Sequence, residues 1–561
     1  MTRIASVGVV GLGTMGAGIV EVFARGGVRV VGVEMTPELA ERGRGLLEAS
    51  TARAVQKGKL DEAGQQALLE AVTFSSDLAD LAEVDLVVEA VPERMDIKHE
   101  VFGRLDEVTR PEAILATNTS SLSVTEIAAG TQRRDRVVGM HFFNPAPVQK
   151  LVEVVHTPVT DPAAVEAVAE LATRLGKQPV VVADRAGFVA NHLLYGYMNR
   201  AGQLYFDGAV DAADLDTAMH VGAGLPMGPL TLMDLVGLDV CAGIGGVIHS
   251  LTHKHMHAPS YELATMVQAG LLGRKSGAGF HPYSEEARRA AAARTQEPAA
   301  PREVTVVGVI GAGEEADELA EALAGTGREV VRIEEAGADL GALSGAQVVF
   351  EAAEVVDPLE EDWDEADPEE LEAEAALIEL DALFLELGRV LPADAVVVSL
   401  TADTTLDLAA TSGRHADALR AVLHEATGYG RLLELGRTTT TSREAEATVR
   451  ALAQEAGLTA VVVRDQPGLV VESLLVPFLN EAVLMAQSGY ASPEDIDTAM
   501  VAGCGYPMGP FGYIDQLGAD HVLDVQSELF GATQDPGLAP AAALVDAAVL
   551  DLPLRDATPR A

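Results

Sequence analysis

The stretch "RIASVGVVGLGTMGAGIVEVFARGGVRVVGVEMTPE", residues 3–38, decides the fold. It reads as an apolar strand, a Gly-rich turn, a helix and a second apolar strand with an acid at its end. Further strand-like runs lie at Leu86–Ala90, Ala113–Ala116 and Val137–Gly139, with helical patterns between them. This alternation predicts right-handed crossovers and an α/β, doubly wound parallel sheet. In the turn, Gly11, Gly13 and Gly16 fit GxGxxG, with Thr14 and Met15 at the helix start. The first Gly allows a tight turn and the second lets the backbone approach a pyrophosphate. The third permits close helix–strand packing, and the helix N-terminus attracts the anion.

Glu34 ends the second strand where a ribose 2′-hydroxyl would be held, and it would repel a 2′-phosphate. No Arg immediately follows it, so the expected cofactor of this Rossmann-type domain is NAD rather than NADP. Outward from this unit, the pattern changes near Asp184 to long helical segments without convincing strands, an all-helical domain. Then the chain repeats. Residues 304–335, "VTVVGVIGAGEEADELAEALAGTGREVVRIEE", echo the opening at an offset of 300, and 493–515 echo 212–234 at an offset of 281. The expected division is 1–184 and 185–283, a linker 284–302, a degenerate sheet domain 303–465 and a second helical domain 466–561. The acidic run 357–375 is expected to be a solvated surface segment. In the second turn, "GAGEEA", Ala316 replaces the third Gly, and Glu314 and Glu315 place negative charge beside a would-be pyrophosphate. No dinucleotide is expected there.

At 561 residues the chain exceeds what a single core organises, which agrees with several domains. Only 39 Lys and Arg oppose 85 Asp and Glu, and the formal charge of −46 argues against nucleic acid or an anionic membrane as a partner. A salt-adapted host and a high-Ala, low-Lys coding bias account for the acidity equally well. Cys241 and Cys504 are far apart in sequence, and without a CxxC or Cys/His cluster neither a metal site nor a disulfide framework is expected. The N-terminus enters Ile4–Val10 without a basic leader, and no 18-residue apolar run occurs, so the reading is a soluble, cytoplasmic protein.

"VVGMHFFNPAPVQKLVEVV" places His141 just past a strand and Glu153 twelve residues later in the next apolar run. A lone His is usually structural and a lone Glu usually lies on the surface. Together they suit alcohol oxidation, in which an imidazole takes the hydroxyl proton and a carboxylate on its other nitrogen fixes the tautomer. Upstream, "ATNTSSLSVTEIA" (116–128) runs from a strand into a helix, and its hydroxyls suit turn chemistry and an N-cap, the reading favoured for Ser121.

With "GLGTMGAGI", "VVEAVPE", "NTSSL", "HFFNPAPVQKLVEVV", "GFVANHLL", "GAGLPMGP" and "GLLGRKSGAGF" in hand, residues 4–283 resemble the 3-hydroxyacyl-CoA dehydrogenase family, including its 3-hydroxybutyryl-CoA dehydrogenases. The resemblance implies NAD-dependent interconversion of a (3S)-3-hydroxyacyl-CoA and its 3-keto form, with an acyl-CoA thioester as the substrate. It implies His141 as the base, paired with Glu153, Ser120 on the substrate oxygen and Asn191 completing the site. Asn118 would lie beside the nicotinamide, and Glu89 would line the cofactor. Ser50 and Lys57 match the seven-residue spacing of the family's CoA contacts, and all seven Lys lie in the first half.

The second copy keeps His424 and Glu434 ten residues apart, has Thr404 and Ala402 where Ser120 and Asn118 would align, and puts Glu472 at the Asn191 position. It reads as a decayed catalytic copy. Because the family commonly pairs through its helical domains, 466–530 is expected to pack on 185–283 as a covalent pseudo-dimer, with further homo-oligomerisation not required. A dehydrogenase of a small hydroxy acid without CoA, and a non-catalytic NAD-binding scaffold, are the competing readings.

Overall fold

The computed structural model describes residues 4–294, 299–334, 339–352 and 380–557; the acidic run 357–375 lies outside them. The first sheet contains β1 (Ser6–Val10), β2 (Arg29–Val33), β3 (Val72–Ser75), β4 (Leu86–Glu89), β5 (Ile114–Thr117), β6 (Val137–Phe142), β7 (Leu151–His156) and β8 (Gln178–Ala183). Their order is β3-β2-β1-β4-β5-β6-β7-β8. All neighbours run parallel except β6 and β7. These Val-rich runs are covered on both faces, and every residue of β1, β4 and β5 is buried. Helix α1 (Thr14–Arg25) lays Ile19, Val20 and Phe23 on the sheet, and Phe23 meets Phe142 edge-on at 6.1 Å. Strand order reverses at β1/β4, the switch point where open α/β sheets leave a crevice at the strands' carboxyl ends.

Three strand limits differ from expectation. β4 ends at Glu89, one residue before Ala90. β5 runs one residue later, through Thr117, because the Thr117 hydroxyl turns inward to the buried Glu89 carboxylate at 2.8 Å. β6 reaches Phe142 because its last residues pair with β7 after pairing with β5 ends.

After β8 the chain is helical, beginning with α7 (Ala190–Phe206). Within the expected linker, Glu285–Arg294 is a helix. The second sheet holds β9 (Val306–Ile310), β10 (Glu329–Ile333), β11 (Val348–Glu351), β12 (Val396–Ser399), β13 (Ala418–Ala426), β14 (Gly430–Arg437) and β15 (Thr459–Arg464). Its order β10-β9-β11-β12-β13-β14-β15 repeats the first from β2 onward, without a counterpart of β3 among the described residues, and the one antiparallel step again falls in the hairpin β13/β14. The second helical region follows the first at a constant shift of 281: Val471–Gln487 answers α7, and Ala519–Thr533 answers Leu238–Thr252.

The halves meet through these helices. Tyr197 faces Phe478, its own position 281 residues on, with ring centroids 6.1 Å apart. The Ala183 N–H donates to the Tyr490 carbonyl at 3.3 Å, and the Arg464 N–H donates to the Ala209 carbonyl at 2.6 Å, the same pair with the halves exchanged. A continuous apolar core runs from Leu193 and Ala201 into Leu474 and Leu479. Among the described residues no single helix is long and apolar enough to cross a membrane; Pro229–Val236 with Leu238–Thr252 would pass only jointly, across a 98° bend.

Candidate active site

The glycine turn follows β1 at the switch point. Gly11 has φ +90, and a Cβ there would lie 2.8 Å from the Ala90 backbone. At Gly16 a Cβ would sit 1.7 Å from the Gly11 carbonyl oxygen, so α1 can lie against the strand only with glycine there. Gly13 differs: it has ordinary backbone (φ −65), is exposed, and a Cβ would meet nothing within 4 Å. Its bareness serves no internal packing, which fits a backbone kept open for a pyrophosphate. Thr14 is exposed and Met15 half-buried beside it. Glu34 accepts from the Leu12 N–H at 3.0 Å and the Met35 N–H at 2.8 Å, which fixes its carboxylate at the rim of this cradle. The residues present suit NAD.

In the second copy Ala316 is buried at the position of Gly16, and the turn takes another shape, with Gly313 at φ +92. Glu314, Glu315 and Asp317 occupy the first helical turn. Burial pushes the Glu315 carboxyl above its ordinary range.

His141 and Glu153 are direct cross-strand partners on β6 and β7, which explains their twelve-residue spacing. Glu153 Oε2 bonds His141 Nδ1 at 2.7 Å. Its other oxygen, Oε1, accepts from the Val189 and Ala190 N–H groups at 3.0 and 3.1 Å, at the start of α7. A fully buried carboxylate thus joins the imidazole to a helix N-terminus, whose dipole favours the negative charge. One residue further along α7, Asn191 Nδ2 donates to the Ser120 carbonyl at 3.3 Å. Asn118 Oδ1 accepts from the Phe142 N–H at 2.9 Å, beside His141. Five predicted residues, Asn118, Ser120, His141, Glu153 and Asn191, are therefore joined by β5, β6, β7 and α7.

The hydroxyl loop is organised by a residue the sequence reading left without a role. Glu93 Oε1 accepts from the Thr119 hydroxyl at 2.6 Å and from the Ser120 and Ser121 N–H groups at 2.9 and 3.1 Å. The Ser121 hydroxyl also donates to it at 3.2 Å, and the Ser120 hydroxyl only at 3.4 Å. Burial alone would raise the Glu93 carboxyl, but the Lys98 charge and these donors outweigh it and hold it below the usual carboxylate range. The helix cap is Ser123, whose hydroxyl accepts from the Glu126 N–H, so the N-cap expectation for Ser121 is corrected. Glu89 is fully buried, with Lys98 Nζ at 2.8 and 3.0 Å, the Thr117 hydroxyl at 2.8 Å and the Val91 N–H at 2.7 Å. Both its oxygens are engaged inside the protein, where it braces the loop ends of β4 and β5. The only signal for this node was the nine-residue step from Glu89 to Lys98, a strand end and one helical turn.

Ser50 is half-buried on α2 (Pro37–Gln56), and Lys57, exposed, is that helix's C-cap; two helical turns put both on one face.

Strand register revises the second copy. Glu434 stands opposite Val422, whereas His424 stands opposite Leu432. Measured from the β12/β13 and β5/β6 ladders, Val422 occupies the position of His141. His424, two residues further on the same face, reaches back to Glu434 with Nε2 at 3.0 Å. The loop is corrected as well: Leu400, whose N–H donates to the Glu351 carbonyl, matches Asn118, and Thr404 is a helix cap like Ser123. Glu472 does stand at the Asn191 position, paired with His521 at 2.8 Å.

Comparisons with known proteins agree with this architecture. The family model for the NAD binding domain of 3-hydroxyacyl-CoA dehydrogenase matches residues 6–185, and that for its C-terminal domain matches twice, at 187–283 and 468–554. A 3-hydroxybutyryl-CoA dehydrogenase of Mycobacterium tuberculosis is 46% identical over 282 residues, 50% of this chain and 99% of the relative. The 3-hydroxyadipyl-CoA dehydrogenase of Escherichia coli K12 is 30% identical over 530 residues, 94% of each chain. A crystal structure of 3-hydroxybutyryl-CoA dehydrogenase from Escherichia coli K12 superposes with a TM-score of 0.73 at 29% identity, covering 98% of this chain and 99% of that one. With both of the family's domains matched and the fold shared over nearly the whole length, the chain belongs to the 3-hydroxyacyl-CoA dehydrogenase family of NAD-dependent oxidoreductases.

Proposed function

We propose that the protein oxidises (3S)-3-hydroxyacyl-CoA thioesters to 3-ketoacyl-CoA, and catalyses the reverse, at a single site in its first half. The observation that carries the reading is the bond between His141 Nδ1 and Glu153. An ionised carboxylate can only accept, so the imidazole proton sits on Nδ1 and the Nε2 lone pair is free for the substrate. Nε2 takes the 3-hydroxyl proton as the C3–H bond breaks, and Glu153 stabilises the imidazolium that forms. NAD, held on the glycine cradle, supplies the hydride acceptor, so the substrate loses one hydride and one proton. The weakly held Ser120 hydroxyl is free to turn to the substrate oxygen, and Asn191 and Asn118 fix the two ends of that loop. Ser50 and Lys57 contact the CoA moiety in this reading.

Val422 at the base position of the second half cannot take a proton, and His424 spends its Nε2 on Glu434. That half acts instead as a covalent pseudo-dimer partner; the exchanged contacts of Ala183 with Tyr490 and of Arg464 with Ala209 support this. The test follows NADH absorbance with acetoacetyl-CoA for the wild type, His141→Gln and His424→Gln. Activity lost only in His141→Gln is the expected result. Loss in both, or turnover of the free acid but not the thioester, overturns it.

A further inference from the structure

Charges at the contact between the helical regions are inverted from one side of the pseudo-two-fold to the other. On one side Glu481 receives Lys254 Nζ at 2.6 Å and His192 Nε2 at 2.8 Å. Burial would raise the Glu481 carboxyl, but His192 and Lys254 outweigh it and pull it down to about 2. On the other side each position carries the opposite charge or none. Arg200 stands in place of Glu481, Asp535 in place of Lys254 and Ser473 in place of His192, all at the shift of 281. Arg200 Nε donates to the Ser473 carbonyl at 2.6 Å, and Arg200 and Asp535 line one small cavity. Burial lowers the Arg200 guanidinium's ordinary value, opposed by the Asp535 charge.

We propose that this inversion makes the helical face of the first half specific for the second half and hostile to a second copy of itself. The inference rests on the pseudo-dimer reading above. In a two-fold pairing of first halves, Arg200 would face Lys254, cation against cation in a part-buried contact, with the His192 ring beside them. Asp214, which now pairs with Arg450, would face Ala169 there and lose its cation. Specificity of this kind comes from penalising the wrong partner as much as from rewarding the right one. Equivalent faces of an isologous homodimer cannot be charge-inverted, because each is its own complement.

The test uses the full chain and thermal unfolding. Glu481→Arg with Asp535→Lys gives the second half the charges that the first half carries at those positions. The melting temperature is expected to fall on the order of 5 °C or more, and further than with the neutral Glu481→Gln. Adding Arg200→Glu and Lys254→Asp inverts the whole contact and is expected to recover most of the loss. A milder cycle of Arg200→Glu, Asp535→Lys and their combination keeps the test decisive if the charge-reversed double variant does not fold. The proposal is overturned if neither combination is more stable than its parent single or double variants, or if Glu481→Arg is as stable as Glu481→Gln. Phe478→Ala separates the two layers of the argument. If it leaves stability unchanged, the pseudo-dimer packing itself is wrong; if it destabilises while charge inversion restores nothing, only the charge argument fails.

Discussion

Glu153→Gln is nearly isosteric, yet the geometry gives the amide no acceptable orientation. Glu153 accepts on both oxygens, from His141 Nδ1 on one and from the Val189 and Ala190 N–H groups on the other. If the Gln carbonyl faces the helix, its NH2 donates to Nδ1, which moves the ring proton to Nε2 and removes the base. If the carbonyl faces His141, two buried backbone donors confront an NH2 and lose their acceptor. The first orientation costs activity, by about 10³–10⁴-fold in kcat, the scale of a catalytic His held in the wrong tautomer. The second costs stability, about 1–3 kcal/mol per unsatisfied buried group. Because the second penalty falls on two donors, the first orientation is expected to win. NADH oxidation with acetoacetyl-CoA should therefore collapse in kcat with KM little changed, and the melting temperature should fall only modestly. A Glu153→Gln enzyme retaining more than about one tenth of wild-type kcat would refute the tautomer argument.

Gly13→Ala should leave the melting temperature unchanged, since its Cβ meets nothing, while weakening NADH binding roughly tenfold or more in a fluorescence titration. Gly16→Ala, with its Cβ placed 1.7 Å from a carbonyl oxygen, should lose about 1–3 kcal/mol in denaturant unfolding before any cofactor is added. Lys98→Met strands Glu89 and Glu93 without their cation and should cost about 3–5 kcal/mol by the same measurement. Burial, with the neighbouring His192, pushes the His257 imidazole down to about 3. A depressed folded value means stability that is full above about pH 6.5 and declines as the pH falls toward 3, by about 2 kcal/mol at pH 5. His257→Gln should flatten the stability profile across that window, and an unchanged slope would count against the assignment.

Much of the site was legible because its spacing follows from regular geometry. A GxGxxG turn between strand and helix leaves few alternatives, and twelve residues between His141 and Glu153 is what a hairpin with facing partners produces. The second half shows where such counting fails. His424 and Glu434 look like the same pair with two residues removed, but ladder register makes Val422 the partner of Glu434. A shift of two keeps a side chain on the same face, so periodicity could not expose the error; only the pairing could. Glu93 and Lys98 went unassigned for another reason. Charged residues after a strand usually lie in solvent, as Glu93 does. Lys98 is buried by the Glu89 carboxylate it meets, and Glu93 gains its role only from a loop 26 to 28 residues on whose hydroxyl and N–H groups turn to it.

The Tyr197–Phe478 contact on the pseudo-two-fold carries a consequence for how the sequence can change. In a dimer of identical chains, the residue on the axis meets its own copy, so one base change in the gene alters both touching rings and its effect on the contact is doubled. Here the two rings are encoded separately, and one can change while the other stays fixed. Each position across the seam is therefore open to single, compensable steps that a symmetric assembly would have to take in pairs.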